Sequence, residues 1–211
     1  MNNLEPDKGI GKGKPLDATD FANGDNIDTS LNDGDDPIRF AIESGHHFEG
    51  DIELSKEDLA IVMNETNEGL ISPRAATNIH KWTKSGSYVN VPYVISSSFG
   101  SNERAVIAKA VSEFGSKTCI RYHKKINKSL ESLCSISIHK GISLASINMV
   151  LTYRLVPRTS ERDYLSFIVG DGCYSYVGRQ VEQPQPVSLG PGCEYLAIAI
   201  HELMHAIGIK P

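Results

Sequence analysis

The chain has 211 residues, 40% of them apolar, with 21 Lys and Arg against 26 Asp and Glu and a formal net charge of −5. That length accommodates one large domain or one domain with a leader. The acidic excess argues against nucleic-acid binding, and without a run of about 18 apolar residues the sequence predicts no membrane span.

Met1 is followed by Asn, Glu, Asp and Lys rather than by an apolar stretch, so no signal peptide is predicted and two readings follow, a cytosolic protein or a secreted one whose true N-terminus is missing. Residues 1–36 are rich in Gly, Asp, Asn and Lys and are predicted to be disordered. Their acidic stretch, Asp25 to Asp36, lacks calcium-loop spacing and reads as a solvated tail. Ser55 to Asn64 is predicted as a short helix, with Ser55 as N-cap and Leu59, Ile61, Val62 and Met63 as its apolar residues. Ser72-Pro73-Arg74 reads as an exposed loop, open to a trypsin-like cut after Arg74.

From Trp82 the texture becomes that of a folded domain. Tyr88 to Ile95 alternates β-branched and aromatic residues and predicts a strand, with Pro92 at an edge or a bulge. Ser101 to Phe114 predicts a helix. Ser101 caps it, Val106, Ile107, Ala110, Val111 and Phe114 form its apolar face, and Gly115 ends it. Thr118 to Tyr122, Tyr164 to Val169, Cys173 to Val177 and Val187 to Leu189 read as strands, with a turn at Gly170-Asp171-Gly172. Val187-Ser188-Leu189 is a candidate edge strand for an extended peptide. Tyr174 and Tyr176 read as one core and one surface residue. Residues 123–153, a long basic and serine-containing run, sit badly in this pattern and read as a surface loop.

The last helix, Tyr195 to Ile207, carries the chemistry. His201 and His205 stand four apart, which places both on one helical face about 6 Å apart along the axis. Both imidazoles can then meet one Zn²⁺, with Glu202 beside the metal to take a proton from its water. Taken alone, the spacing is also compatible with two surface histidines. His46, His47, His80, His123 and His139 are spare, and the His46-His47 pair reads as solvated.

Several ordered segments share a further likeness: Gly170-Asp171-Gly172-Cys173-Tyr174-Ser175-Tyr176-Val177-Gly178-Arg179, the final His201-Glu202-Leu203-Met204-His205-Ala206-Ile207-Gly208, Val91 to Ile95, Cys119 to Tyr122, Val156 to Leu165, and Val187 to Leu189. With them the chain resembles astacin-family metallopeptidases, the hatching-enzyme branch above all, over most of residues 40–122 and 154–208. The resemblance implies an α+β fold: a metzincin N-terminal subdomain, with a twisted mixed sheet and two long helices, preceded by a partly disordered pro-segment. It implies a secreted zinc endopeptidase that acts on proteins or peptides and is made as a zymogen. Residues 1–74 would be the pro-segment and 75–211 an incomplete peptidase domain with an atypical insertion at about 123–153. In Phe48-Glu49-Gly50-Asp51, Asp51 would be the aspartate that latches the zinc in the proform. An activating protease would cut between Arg74 and Ala75. Cys173 and Cys193 match a family disulfide. Cys119 matches a family cysteine whose partner would lie further on, which leaves it as a free thiol or paired with Cys134.

The family pattern His-Glu-x-x-His-x-x-Gly-x-x-His places its third zinc ligand where this sequence has Pro211. Two expectations therefore stand. One is a zinc endopeptidase precursor with His201 and His205 as ligands, Glu202 as general base and Asp51 as latch. The other is an inactive, truncated member or isoform that lacks the third ligand and the C-terminal subdomain.

Overall fold

The alternating β-branched and aromatic segments assemble into one sheet. The computed structural model describes residues 9–27, 47, 49–56, 59, 80–86, 88–117 and 152–209. Its strands are β1 (Ile52–Glu53), β2 (Lys84–Ser85), β3 (Tyr88–Ile95), β4 (Thr152–Pro157), β5 (Tyr164–Ile168), β6 (Cys173–Tyr176) and β7 (Pro184–Leu189). The order across the sheet is β1-β6-β7-β5-β3-β2, with β4 also paired to β3. β3 with β4, β3 with β5, β5 with β7 and β1 with β6 run parallel; β6 with β7 and β2 with β3 run antiparallel. The helices are α1 (Ala18–Gly24), α2 (Ser101–Lys117) and α3 (Leu196–Ala206). The fold is the expected α+β arrangement, a mixed sheet with two long helices. No helix among the described residues is long and apolar enough to cross a membrane.

The core follows from the two periodicities. Val89, Val91, Tyr93 and Ile95 of β3 alternate inward and meet Leu165, Phe167, Val187 and Leu189 of the neighbouring strands. Tyr93 and Phe167 meet edge to face, with ring centroids 6.2 Å apart. Ile107, Ala110 and Val111 of α2 and Ile198, Ala199, Leu203 and Ala206 of α3 close the same cluster. Each fully buried large side chain contributes about 1.5–3 kcal/mol.

β3 has the predicted bounds. Pro92, which has no N–H to donate, sits where the pairing of β3 passes from β4 to β5. Four expectations are corrected. Residues 1–36 were expected to be disordered, yet 9–27 pack on the sheet and on α2. The composition of a segment does not register the partners it finds elsewhere in the chain. Asp17 caps α1 with a complete capping box to Asp20, and Leu16 is buried. Gly115 does not end α2, which continues to Lys117; a glycine inside a helix costs only about 1 kcal/mol. Val187-Ser188-Leu189 is no edge, because β7 lies between β5 and β6. Its first residues, Pro184 to Pro186, pair with β5 alone, which is how two prolines fit there. Finally, the run read as a loop to residue 153 gives its last two residues, Thr152 and Tyr153, to β4.

Of the helix predicted over Ser55 to Asn64, Leu59 N–H donates to the Ser55 carbonyl at 2.9 Å, one helical turn. The rest of that helix, the strand at Thr118 to Tyr122, Arg74 and Ala75, Cys119, Cys134 and Pro211 lie outside the described residues.

Candidate metal centre

One turn of α3 places His201 and His205 side by side, their ring centroids 4.7 Å apart and their planes at 89°. The two Nε2 atoms are 3.1 Å apart. Asp51 Oδ2 lies 2.6 Å from Nε2 of His201 and 3.3 Å from Nε2 of His205. Asp51 is 150 residues upstream of His201 in sequence and lies on the turn that enters β1.

Two imidazole nitrogens and one carboxylate oxygen converge on a single point, and protons satisfy them only when both rings carry theirs on Nε2 and donate to the shared carboxylate. A cation satisfies all three. The donor atoms of a tetrahedral zinc ion, each about 2.0–2.1 Å from the metal, lie about 3.3 Å from one another. Two of the three separations here, 3.1 and 3.3 Å, are close to that value. Two imidazoles and a carboxylate are also an ordinary N/O donor set for zinc. Among the described residues, Asp51, His201 and His205 are the group that could hold a metal ion.

Charge at the centre points the same way. Burial pushes the Asp51 carboxyl up, but the hydrogen bonds from His201 and then His205 outweigh it and bring the group down to about 2. Glu202 behaves in the opposite way. It is fully buried, and neither carboxylate oxygen has a hydrogen-bond partner among the described residues. Burial first, and the charge of Asp51 second, push it up to about 9. Such a carboxyl is at ease only as the neutral acid or beside a positive ion.

The segment around Asp51 is held on the site by its own local structure. Glu49 and Gly50 both adopt left-handed backbone, with φ of 53° and 101°. The turn they form is closed by Gly50 N–H donating to the His47 carbonyl at 3.0 Å. A glycine before Asp51 suits that geometry, because it has no Cβ to clash. β1 then runs parallel to β6, and Ser175 N–H donates to the Asp51 carbonyl at 3.0 Å. β1 thus occupies the outer edge of β6. His47 lies over Tyr174 with ring centroids 3.9 Å apart, and its Nδ1 is 2.8 Å from a carboxylate oxygen of Glu53. Tyr174 is buried and Tyr176 half-buried.

The C-terminal end of α3 is fastened from several directions. Gly208, at φ 95°, donates to the His205 carbonyl at 2.8 Å, and Ile209 donates to the Met204 carbonyl at 2.9 Å, a complete Schellman motif. Gly178 N–H donates to the His205 carbonyl at 2.8 Å. Trp82 Nε1–H donates to the Ala206 carbonyl at 2.8 Å across 124 residues. A disulfide joins Cys173 at the start of β6 to Cys193 just before α3, with the Cα atoms 5.7 Å apart. The helix that carries the histidines is therefore tied to the strand beside them. Sequence reasoning found the histidines, Glu202, Asp51 and the two cysteines. It missed the supporting parts played by His47, Trp82 and Gly178. The chain's single tryptophan was a signal of folded texture, but nothing local named its partner. His80 stands apart from the centre, its carbonyl accepting from Arg179 N–H at 2.8 Å.

Comparison with known proteins adds an independent line. The family model described as Astacin, a peptidase family, matches residues 75–141 and 125–210. The chain belongs to the astacin family. Among astacin relatives, zinc metalloproteinase nas-13 of Caenorhabditis elegans is 35% identical over 128 residues, which are 61% of this chain and 20% of that protein. Zinc metalloproteinase nas-8 of Steinernema carpocapsae is 40% identical over 119 residues, 56% of this chain and 20% of that one. Among solved structures, high choriolytic enzyme 1, a hatching enzyme zinc-protease of the medaka Oryzias latipes, is 33% identical, with 62% of this chain and 49% of that chain covered and a TM-score of 0.43. This astacin chain spans about a fifth of the length of the first two relatives.

Proposed function

We propose that the chain is the latched precursor of a zinc-dependent endopeptidase. The observation that carries this reading is the convergence of Nε2 of His201, Nε2 of His205 and Oδ2 of Asp51 on one point. His201 and His205 would hold the zinc, which when bound would lower the pKa of a water toward ~7 and polarise a peptide carbonyl. Glu202, the next residue on the helix, takes the proton of the attacking water and later gives it to the departing amine. Asp51, which lies against both imidazoles, would take a coordination position on that zinc and so keep the chain inactive while it stays seated.

The family match that begins at Ala75 supports reading residues 1–74 as the leader. The Ser72-Pro73-Arg74 sequence, which reads as a loop, supports activation by a trypsin-like protease between Arg74 and Ala75. The substrate class is protein or peptide, and the site of action is extracellular.

The test is metal content together with cleavage. The intact chain should bind zinc at neutral pH, as measured by elemental analysis, and Glu202→Gln should bind it equally well. Asp51→Asn leaves two protein ligands, so it should hold zinc more weakly in a competition titration, and any casein cleavage it gains should stop on chelation and on adding Glu202→Gln. An intact chain without zinc would overturn the reading. A zinc-loaded Asp51→Asn chain that leaves casein uncut would instead favour a catalytically inactive member of the family.

A further inference from the structure

We propose that residues 9–27 form a clamp. This second attachment holds the leader on the peptidase body after the chain is cut between Arg74 and Ala75. The inference rests on the precursor reading above and adds a regulatory step to it: the cut alone leaves Asp51 in place.

The clamp is built to fit closely. Lys14 exchanges two backbone hydrogen bonds with Ile95, at 3.0 and 3.1 Å, and so lengthens the ladder at the end of β3. Gly13 lies so near the strand that a Cβ would come within 2.0 Å of the Ile95 carbonyl oxygen. Gly11, at φ 76°, donates its N–H to the hydroxyl of buried Ser166 at 2.9 Å, and a Cβ there would meet the Tyr164 hydroxyl at 2.6 Å. Only glycine allows the backbone to approach this closely. Leu16 is buried beside Tyr93, whose hydroxyl accepts from Leu16 N–H at 3.3 Å.

The helix that follows is fastened by charge. Arg104 of α2 reaches both oxygens of Asp20, from Nε at 3.0 Å and from NH2 at 2.7 Å, and NH2 also donates to the Pro15 carbonyl at 2.9 Å. The same Asp20 carboxylate completes the capping box of α1. One side chain therefore starts the helix and docks it, in a two-oxygen, two-nitrogen contact of the strong kind. At Gly24 the two helices touch backbone to backbone: a Cβ would lie 2.9 Å from the Ala105 carbonyl oxygen. None of these contacts involves Asp51, His201 or His205.

Clamp and latch are joined by residues 28–46. While the clamp is seated, the latch is held near its site at an effective concentration on the order of millimolar. A cut at residue 74 removes the covalent tie to the body and leaves both non-covalent ones. Fragment 1–74 then acts as a two-point inhibitor, and activity waits on its release.

The test uses the full chain with the recognition sequence of a site-specific protease inserted between Arg74 and Ala75. The chain is cut to completion, and the release of fragment 1–74 is followed by gel filtration and by the off-rate of a labelled leader. Gly13→Val and Asp20→Ala break the clamp, Asp51→Asn breaks the latch, and all three leave residues 75–211 unaltered. The two fragments of the parent chain should co-elute after cleavage. Each clamp variant should speed release about tenfold or more, as expected for the loss of a close backbone contact or a bidentate ion pair. Immediate separation of the parent fragments, or clamp variants that release no faster than the parent, would overturn the proposal. Zinc content of the uncut chains, measured alongside, tests the metallopeptidase reading separately.

Discussion

At the scale of single residues, the centre depends on groups that are costly without one another. Two imidazoles and a carboxylate share one point, and Glu202 is buried beside them with no donor to either oxygen among the described residues. Removing one ligand should therefore cost the metal before it costs the fold. His205→Ala should weaken zinc binding by well over about tenfold in a competition titration with a chelating dye; unchanged affinity would show that the imidazole is not a ligand. Trp82 makes a different point. Its indole N–H serves the Ala206 carbonyl, one of the last of α3 and without a partner inside the helix. Trp82→Phe keeps most of the apolar bulk and leaves that carbonyl unserved. It should cost about 1–3 kcal/mol in urea unfolding, and a loss below ~0.5 kcal/mol would show that the bond is dispensable.

At the scale of elements, α3 has two distinct faces. His201 and His205 point to the leader, while Leu203 and Ile198 are buried in the core. Leu203→Ala should destabilise the chain by about 2–5 kcal/mol; a loss below about 1 kcal/mol would show that the core collapses around the gap. The disulfide between Cys173 and Cys193 closes a loop of sequence separation 20. Replacing both cysteines with serine should lower stability by about 3 kcal/mol on the loop-entropy account, measured by thermal unfolding under oxidising conditions. A melting temperature equal to that of the parent would show that the covalent tie is redundant with the surrounding strands. Both elements were legible as a helix and a strand. What they pack against was not, because periodicity identifies an apolar face but not its partner.

At the scale of the whole molecule, residues 9–27 are part of the folded structure and their attachment should respond to acid. Burial raises the Asp20 carboxyl, but the hydrogen bond from Arg104, the Asp17 backbone N–H and the charge of Arg104 outweigh it, and the group sits below its ordinary value. A carboxyl lowered in the folded state adds stability that is complete above its unfolded value of ~3.9 and is lost as the pH falls through the lower folded value. The protection factors of the amides across residues 16–24, which correct for the intrinsic pH dependence of exchange, should therefore hold from neutral pH down to about 4 and fall below that. Protection that persists unchanged to pH 3 would show that the ion pair does not fasten α1.

The histidine pair, its neighbouring acid and the bounds of β3 were all legible in the sequence, because each depends on spacings of two or four residues along one element. The resemblance extended that reading to Asp51 and to the cysteine pair, by motif and without geometry. Tertiary structure alone decided that the polar, glycine-rich residues 9–27 would be ordered, that β7 would be interior, and that Trp82 and Gly178 would cap the helix of the two histidines. These outcomes depend on contacts between residues tens to more than a hundred positions apart. Whether a glycine marks flexibility or a close approach, and whether a strand has one neighbour or two, is determined only when the rest of the chain is in place.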